Sequence, residues 1–317
     1  MRAIVTGGAG FISSHLADAL TAADYRVLII DNLSAGRVGN AQSALRAGAE
    51  LAETDVTRKD KLYEVVGSFQ PDIIFHFAAH VDVRDSVVDP SFDAHSNTIG
   101  SVNIFSAAAE CGVGRVVNAS TGGAIYGDKA KIPTRESDVT DPISPYGLSK
   151  LAAESYARWF RRSRGLNVVT LRFGNVYGER QDPAHGAVVA RLCDQAVRGA
   201  KFEIFGTGDA TRDYIYVSDA VTAAVAAGRR KCLNHDTYNV GSGVETSVRQ
   251  LADVVAAAAG NMPGPLEIVH QPSRHGEVMR SCLDNSRSRS EEIMPPPAPL
   301  EKGIQATLAW YRAACEA

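Results

Sequence analysis

The chain opens on the apolar run "RAIVT", passes directly into "GGAG", and continues as "FISSHLADAL", whose apolar residues recur at helical spacing. A strand that turns on glycines into a helix is the first half of a βαβ unit. Such units close into parallel sheets covered by helices. The pattern then repeats. Short β-branched runs fall at Arg2–Thr6, Arg26–Asp31, Ala49–Asp55, Asp72–Ala78, Arg115–Ser120 and Asn167–Phe173. Helical patterns fill Phe11–Ala23, Lys59–Ser68, Ser91–Cys111 and Tyr146–Ser163 between them. The runs are nearly continuous in apolar residues rather than alternating, as in strands buried on both faces. Residues 1–173 are expected to form a doubly wound parallel α/β sheet.

Beyond Phe173 the rhythm loosens. Helices are expected at His185–Arg198, Ser218–Arg229 and Ser247–Ala259, mixed with short strands at Phe202–Ile204, Asp213–Val217 and Thr237–Val240. The segment "MPPPAP" stops the chain before a last amphipathic helix. Residues 174–317 therefore read as a smaller mixed α/β lobe, with segments near 213–240 returning to the first domain.

With 317 residues, 45% of them hydrophobic and 22% charged, the chain can bury a core without a metal or disulfide staple. A net charge of −3 with no block of one sign argues against a nucleic-acid or membrane surface. The alanine-rich runs are too short to span a bilayer. Five scattered cysteines without a C-x-x-C fit neither zinc nor a disulfide framework. The start on a strand leaves no room for a signal peptide, so a reducing cytoplasm is expected. His15, His76 and His80 lack a metal-ligand pattern and read as packing residues, and Trp159 and Trp310 sit at core-like spacing.

Gly7, Gly8 and Gly10 let a backbone turn tightly against a pyrophosphate, and the helix from Phe11 and Ile12 aims free N–H groups at that anion. Ser13 stands where a third glycine is usual, and a small hydroxyl is tolerated there. The second strand ends at Asp31, followed by Asn32. A carboxylate about 20 residues beyond the glycines accepts hydrogen bonds from an adenosine ribose and repels a 2′-phosphate, which predicts NAD. Asp55 and Val56 after the third strand, and Ala78, Ala79 and His80 after the fourth, lie on the edge where open α/β sheets bind ligands.

"SPYGLSK" places Tyr146 and Lys150 four apart on one helical face, behind a proline suited to a first turn. A phenol is a poor base at neutral pH; a nearby ammonium is expected to favour the phenolate, so that Tyr146 takes a proton from a substrate hydroxyl. Upstream, in "ASTGGAIYG", Ser120 or Thr121 could offer a hydroxyl to the same substrate oxygen.

These motifs, with "IIDNL", "FHFAAHVDV", "LRFGNVYGERQ", "GTGDATRDYIYV", "YNVGSG" and "RHGEV" in order, resemble the extended short-chain dehydrogenase/reductases, and among them the nucleotide-sugar epimerases similar to UDP-glucose 4-epimerase. The resemblance covers essentially the whole chain. It implies a Rossmann domain holding a recycled NAD, with Asn97 among the cofactor residues. It also implies C4 epimerisation of a UDP-sugar through a 4-keto intermediate, with Tyr146 as the base. Lys150 would bond the nicotinamide ribose. Asn175, Arg212, Arg274 and Glu277 would hold the sugar nucleotide, and Val189 would lie by the uracil. Ser281 stands where an aromatic residue would close the sugar pocket, so N-acetylhexosamine nucleotides are expected beside the plain hexoses. A homodimer through Ser91–Cys111 and Tyr146–Ser163 is implied. The alternatives are a UDP-glucuronate 4-epimerase, a nucleotide-sugar 4,6-dehydratase or uronate decarboxylase, and a non-catalytic NAD sensor. The dehydratases and decarboxylases carry an acid directly after the catalytic hydroxyl, where this chain has Gly122 and Gly123.

Overall fold

A computed structural model describes residues 1–128, 131–185, 187–260, 267–272 and 278–316. The first six strands are β1 (Arg2–Thr6), β2 (Arg26–Asp31), β3 (Glu50–Glu53), β4 (Ile73–His76), β5 (Arg115–Thr121) and β6 (Val168–Phe173). After them come β7 (Asn175–Tyr177), β8 (Phe202–Phe205), β9 (Thr211–Tyr216), β10 (Thr237–Val240), β11 (Glu245–Ser247) and β12 (Ile268–Gln271). Seven of these form one parallel sheet in the order β10-β6-β5-β4-β1-β2-β3. The winding reverses between β1 and β4. At such a reversal the loops beyond the strand ends part and leave a crevice.

Adjacent residues of the central strands feed opposite faces, as period two demands. Val5, Ile29, Phe75, Val117 and Val169 pack with Leu16 and Ala224 under the Phe11–Ala22 and Val217–Arg229 helices. Their neighbours Ile4, Ile30, Ile74, Val116 and Val168 pack with Leu62, Phe105 and Phe160 under the helices on the other side. This double burial explains why the strands read as unbroken apolar runs. A separate core joins Tyr177, Val189, Leu192, Phe202, Leu251 and Ile304, on strands β7 and β8 and helices Val188–Val197, Val248–Ala259 and Leu300–Glu316.

Several elements differ from expectation. The helix expected over 91–111 is Pro90–Ala94, a π-helical turn at His95–Ile99 and then Gly100–Glu110. Its periodicity reads as one helix because the π turn adds a residue without breaking the apolar face. Helix Val38–Arg46 and strands β7, β11 and β12 were not expected; the strands are only three or four residues long. Trp159 is 48% exposed rather than buried, because only one face of the Pro145–Arg164 helix meets the sheet.

That helix is fixed by a buried polar network. Glu154, 1% exposed, receives Arg172 of β6 through two bonds, Nη2 to Oε2 at 2.7 Å and Nε to Oε1 at 3.0 Å. Ser120 of β5 donates to Glu154 Oε1 at 2.6 Å. Arg172 also donates to Tyr126 Oη at 2.8 Å, and Tyr126 to Asn239 Oδ1 at 2.9 Å. Removing one partner of such a pair leaves an uncompensated buried charge. Glu154→Ala should therefore lower stability by about 3–5 kcal/mol in denaturant unfolding; a loss under about 1 kcal/mol would show that the pair does not hold the helix.

Candidate active site

The glycine turn closes tightly over the switch point. Gly7 adopts φ +67°, donates its N–H to Ile30 O at 2.7 Å, and accepts at its carbonyl from Gly10 N at 2.9 Å. A Cβ at Gly7 would stand 2.8 Å from Ala78 Cα, and one at Gly10 would stand 2.9 Å from Gly7 O. The Ser13 hydroxyl, buried at the usual third-glycine position, donates to Gly7 O and so braces the turn. The Phe11–Ala22 helix that follows has no side-chain cap and no acid in its first turn, so the N–H groups near Phe11 and Ile12 are open to an anion.

Asp31 is buried at the end of β2 and accepts from Ala9 N at 2.9 Å and Leu33 N at 2.8 Å. It thus ties the β2 end to the glycine turn. Gly36 passes so close that a Cβ there would meet both Asp31 oxygens at 2.9 Å. The exposed Asn32 donates to Asp55 Oδ2 at 2.8 Å, and Asp55 Oδ1 accepts from Thr57 N and Oγ1. These bonds hold the Asp55 carboxyl below the usual range despite its partial burial. Val56 is buried against Gly100.

The end of β4 is bonded from both sides. Thr6 Oγ1 receives Ala78 N at 3.1 Å and meets His76 Nδ1 at 2.8 Å. Burial, and secondly the charge of Lys150, push His76 down to about 3, so it is a neutral spacer. Asn97, 1% exposed in the π turn, accepts from His80 N at 2.8 Å and donates to His80 O at 2.9 Å, Asp93 Oδ1 at 3.0 Å and Ser149 Oγ at 3.1 Å. It joins the 78–80 segment, half-buried at the crevice, to the helix that carries Tyr146 and Lys150.

Ser144 caps that helix, accepting from Gly147 N, and Pro145 fills the first turn. The Thr121 side chain, at the end of β5, acts on the Tyr146 phenol and favours its ionisation. Ser120 points to the opposite side, onto Glu154, so strand alternation separates the two hydroxyls. Lys150, one turn beyond Tyr146, is 5% exposed. The electrostatics depart from expectation. Burial, and then the charge of Asp93, push the Tyr146 phenol up to about 12, against the Thr121 side chain. Burial also lowers Lys150 to about 8, opposed by Glu154 and Asp93. The lysine does not outweigh desolvation of the phenol, so the pair rests protonated.

On the far side, a Cβ at Gly123 would stand 3.4 Å from Asn175 Oδ1 and 3.9 Å from Thr121 Oγ1. Thr121 and Asn175 therefore converge on the bare backbone of Gly123. At Gly122 a Cβ would be 2.6 Å from Leu283 Cδ1. Ser281, 8% exposed, donates its N–H to Thr211 O at 3.2 Å. Arg212 lies on β9 beside it, half-buried, and donates to Thr211 O at 2.8 Å. Val189 is 2% exposed in the lobe's core, where packing accounts for it. Arg274 and Glu277 lie outside the described residues.

Three acids escaped the sequence reading. Asp213 is fully buried and accepts from Ser242 N, Gly243 N and Leu283 N, knitting β9 to two loops. Asp93 and Glu154 are buried beside Lys150. In a helical pattern Asp93 and Glu154 read as solvated acids. Only the spacing of Glu154, four after Lys150, was a signal.

The chain matches the NAD dependent epimerase/dehydratase family over residues 3–241. It belongs to that family. It is 41% identical over 315 residues to a UDP-glucose 4-epimerase of Mycolicibacterium smegmatis, covering 98% of this chain and 99% of that one. Among solved structures it is similar to the UDP-glucose 4-epimerase of Thermotoga maritima with UDP-glucose, at TM-score 0.94 and 38% identity over 99% of this chain and 100% of that chain. It is also similar to the UDP-glucose 4-epimerase of Thermus thermophilus in complex with NAD, at TM-score 0.91 and 35% identity over 99% and 100%.

The residues present fit the NAD of this family. The turn at Gly7 and Gly10 has no room for side chains, the helix start is free of acids, and Asp31 ends β2 beside the turn. Gly7→Ala would put a Cβ in a left-handed conformation and against Ala78. It should destabilise the protein by about 1 kcal/mol or more in thermal unfolding and weaken dinucleotide uptake in fluorescence titration. Unchanged uptake would remove the turn from the binding site.

Proposed function

We propose that this chain inverts the C4 centre of a UDP-hexose, interconverting UDP-glucose and UDP-galactose. Bound NAD supplies the reversible oxidation and reduction at C4. Tyr146 Oη takes the 4-OH proton as the C4 hydrogen leaves and returns it when the ketone is reduced on its other face. The Thr121 hydroxyl orients the same oxygen, and Ser120 is assigned to holding Glu154. Lys150 supplies a buried cation beside the base and a donor to the cofactor ribose. Asn175 and Arg212 hold the sugar nucleotide, with Arg274 and Glu277 carried over from the family resemblance. The carrying observation is Tyr146 and Lys150 one turn apart at the start of the Pro145–Arg164 helix, with the Thr121 side chain acting on the phenol.

Leu283 fills the space an acidic side chain would need at position 122, which weighs against the dehydratase and decarboxylase readings. We assign cofactor binding to residues 1–173 and most sugar-nucleotide binding to 174–317. The five cysteines are free, in keeping with a reducing compartment such as the cytoplasm, and no helix among the described residues is long and apolar enough to cross a membrane.

A second copy of this chain is the proposed partner. Val88, Phe92, Ile99, Leu148, Tyr156 and Trp159 expose apolar surface on helices that pack side by side. Leu148→Arg should halve the particle mass in analytical ultracentrifugation; an unchanged mass would place the interface elsewhere.

The protein as purified, with no NAD added, should interconvert UDP-glucose and UDP-galactose by NMR, and Tyr146→Phe should slow this by about 10²–10⁴-fold. An active Phe variant would exclude Tyr146 as the base. Because Ser281 is small, UDP-N-acetylglucosamine should turn over in the same assay, and its exclusion would show that another residue closes the pocket.

A further inference from the structure

Asp93 is fully buried on the short Pro90–Ala94 helix. Its Oδ1 receives Asn97 Nδ2 at 3.0 Å and faces His80 Nδ1 at 3.5 Å. Its Oδ2 is buried with no hydrogen-bond partner among the described residues. An orphan carboxylate oxygen is costly to bury, and no structural bond accounts for it. The Asn97 bridge to Ser149 Oγ, with Thr98 Oγ1 on Ser149 O at 3.2 Å, clamps this segment to the helix bearing Tyr146 and Lys150.

We propose that Asp93 is a positioning residue of the site, whose buried carboxylate, with one oxygen unpartnered among the described residues, sets the charge state of the Tyr146–Lys150 pair. Other groups also face the pair. Glu154 comes from the same helix, but Arg172 and Ser120 neutralise and occupy it. Thr121 comes from β5, neutral His76 from β4, and His80 and Ser149 from the Asn97 bridge. Asp93 is the acid in this set without a bonded guanidinium. Its negative charge raises both the Tyr146 phenol and the Lys150 ammonium. It favours the Lys150 cation inside a desolvated pocket, and it disfavours the phenolate. Its effect on turnover, though not on titration, rests on the C4-epimerase reading.

The sign is fixed. Without the charge at position 93, both groups lose their protons at lower pH. Turnover needs a phenolate and an ammonium, so its acid and alkaline limbs should both move to lower pH. The direct test is an NMR titration of protein labelled with 13C at tyrosine Cζ, the Tyr146 signal being identified by its loss in Tyr146→Phe. In Asp93→Asn this signal should titrate about one pH unit lower than in the wild-type protein, and Asp93→Glu should move it back. Asp93→Ser serves if the Asn variant does not fold. A variant titration that does not move relative to the wild-type protein overturns the proposal. A shifted titration in a protein that inverts no UDP-sugar sustains Asp93 and removes the epimerase reading. Turnover with an unmoved titration does the reverse.

Discussion

The buried Glu154–Arg172 pair ties the Pro145–Arg164 helix to β6 at the edge of the crevice. An ion pair out of water stabilises only when its geometry is good and its remaining hydrogen-bonding capacity is met. Here the guanidinium grips both carboxylate oxygens, Ser120 takes a further site, and Tyr126 Oη meets the other end of Arg172. Because Glu154 is one turn beyond Lys150 and two beyond Tyr146, the pair fixes the rotation of the helix and therefore where both chemical groups point. Strand alternation does the rest: Ser120 anchors the helix, and Thr121 faces the phenol.

The same burial that organises the helix makes the resting site a poor base. Desolvation disfavours charge on both partners, lifting the phenol and lowering the ammonium, and the Asp93 carboxylate adds to the first effect while opposing the second. A lysine four residues on is thus not enough to activate the tyrosine. Under the epimerase reading, the oxidised cofactor, when bound, would add a positive charge that favours the Tyr146 phenolate.

Much of the fold was legible because its signals are local. A β-branched run, a glycine turn and a helical stripe are neighbours in sequence, and their repetition fixes a parallel sheet. The ends of strands then mark the ligand edge, which is why Gly7, Asp31 and Ala78 could be assigned to it before the structure. What stayed hidden depends on contacts distant in sequence. Asp93 and Glu154 look like solvated helix acids until β6 and the π turn are packed beside them. Trp159 looked like core because helical spacing cannot say which face meets the sheet. The choice between Ser120 and Thr121 needed the strand's facing relative to a helix far along the chain, and the short strands β7 and β11 carry too few residues for a periodic signal.

The account stands or falls on direct transfer of the C4 hydrogen within a closed site. NMR of UDP-glucose incubated with the protein in heavy water tests this. The expected result is UDP-galactose with its original hydrogen retained at C4. No inversion, or deuterium at C4 in the product, would contradict it.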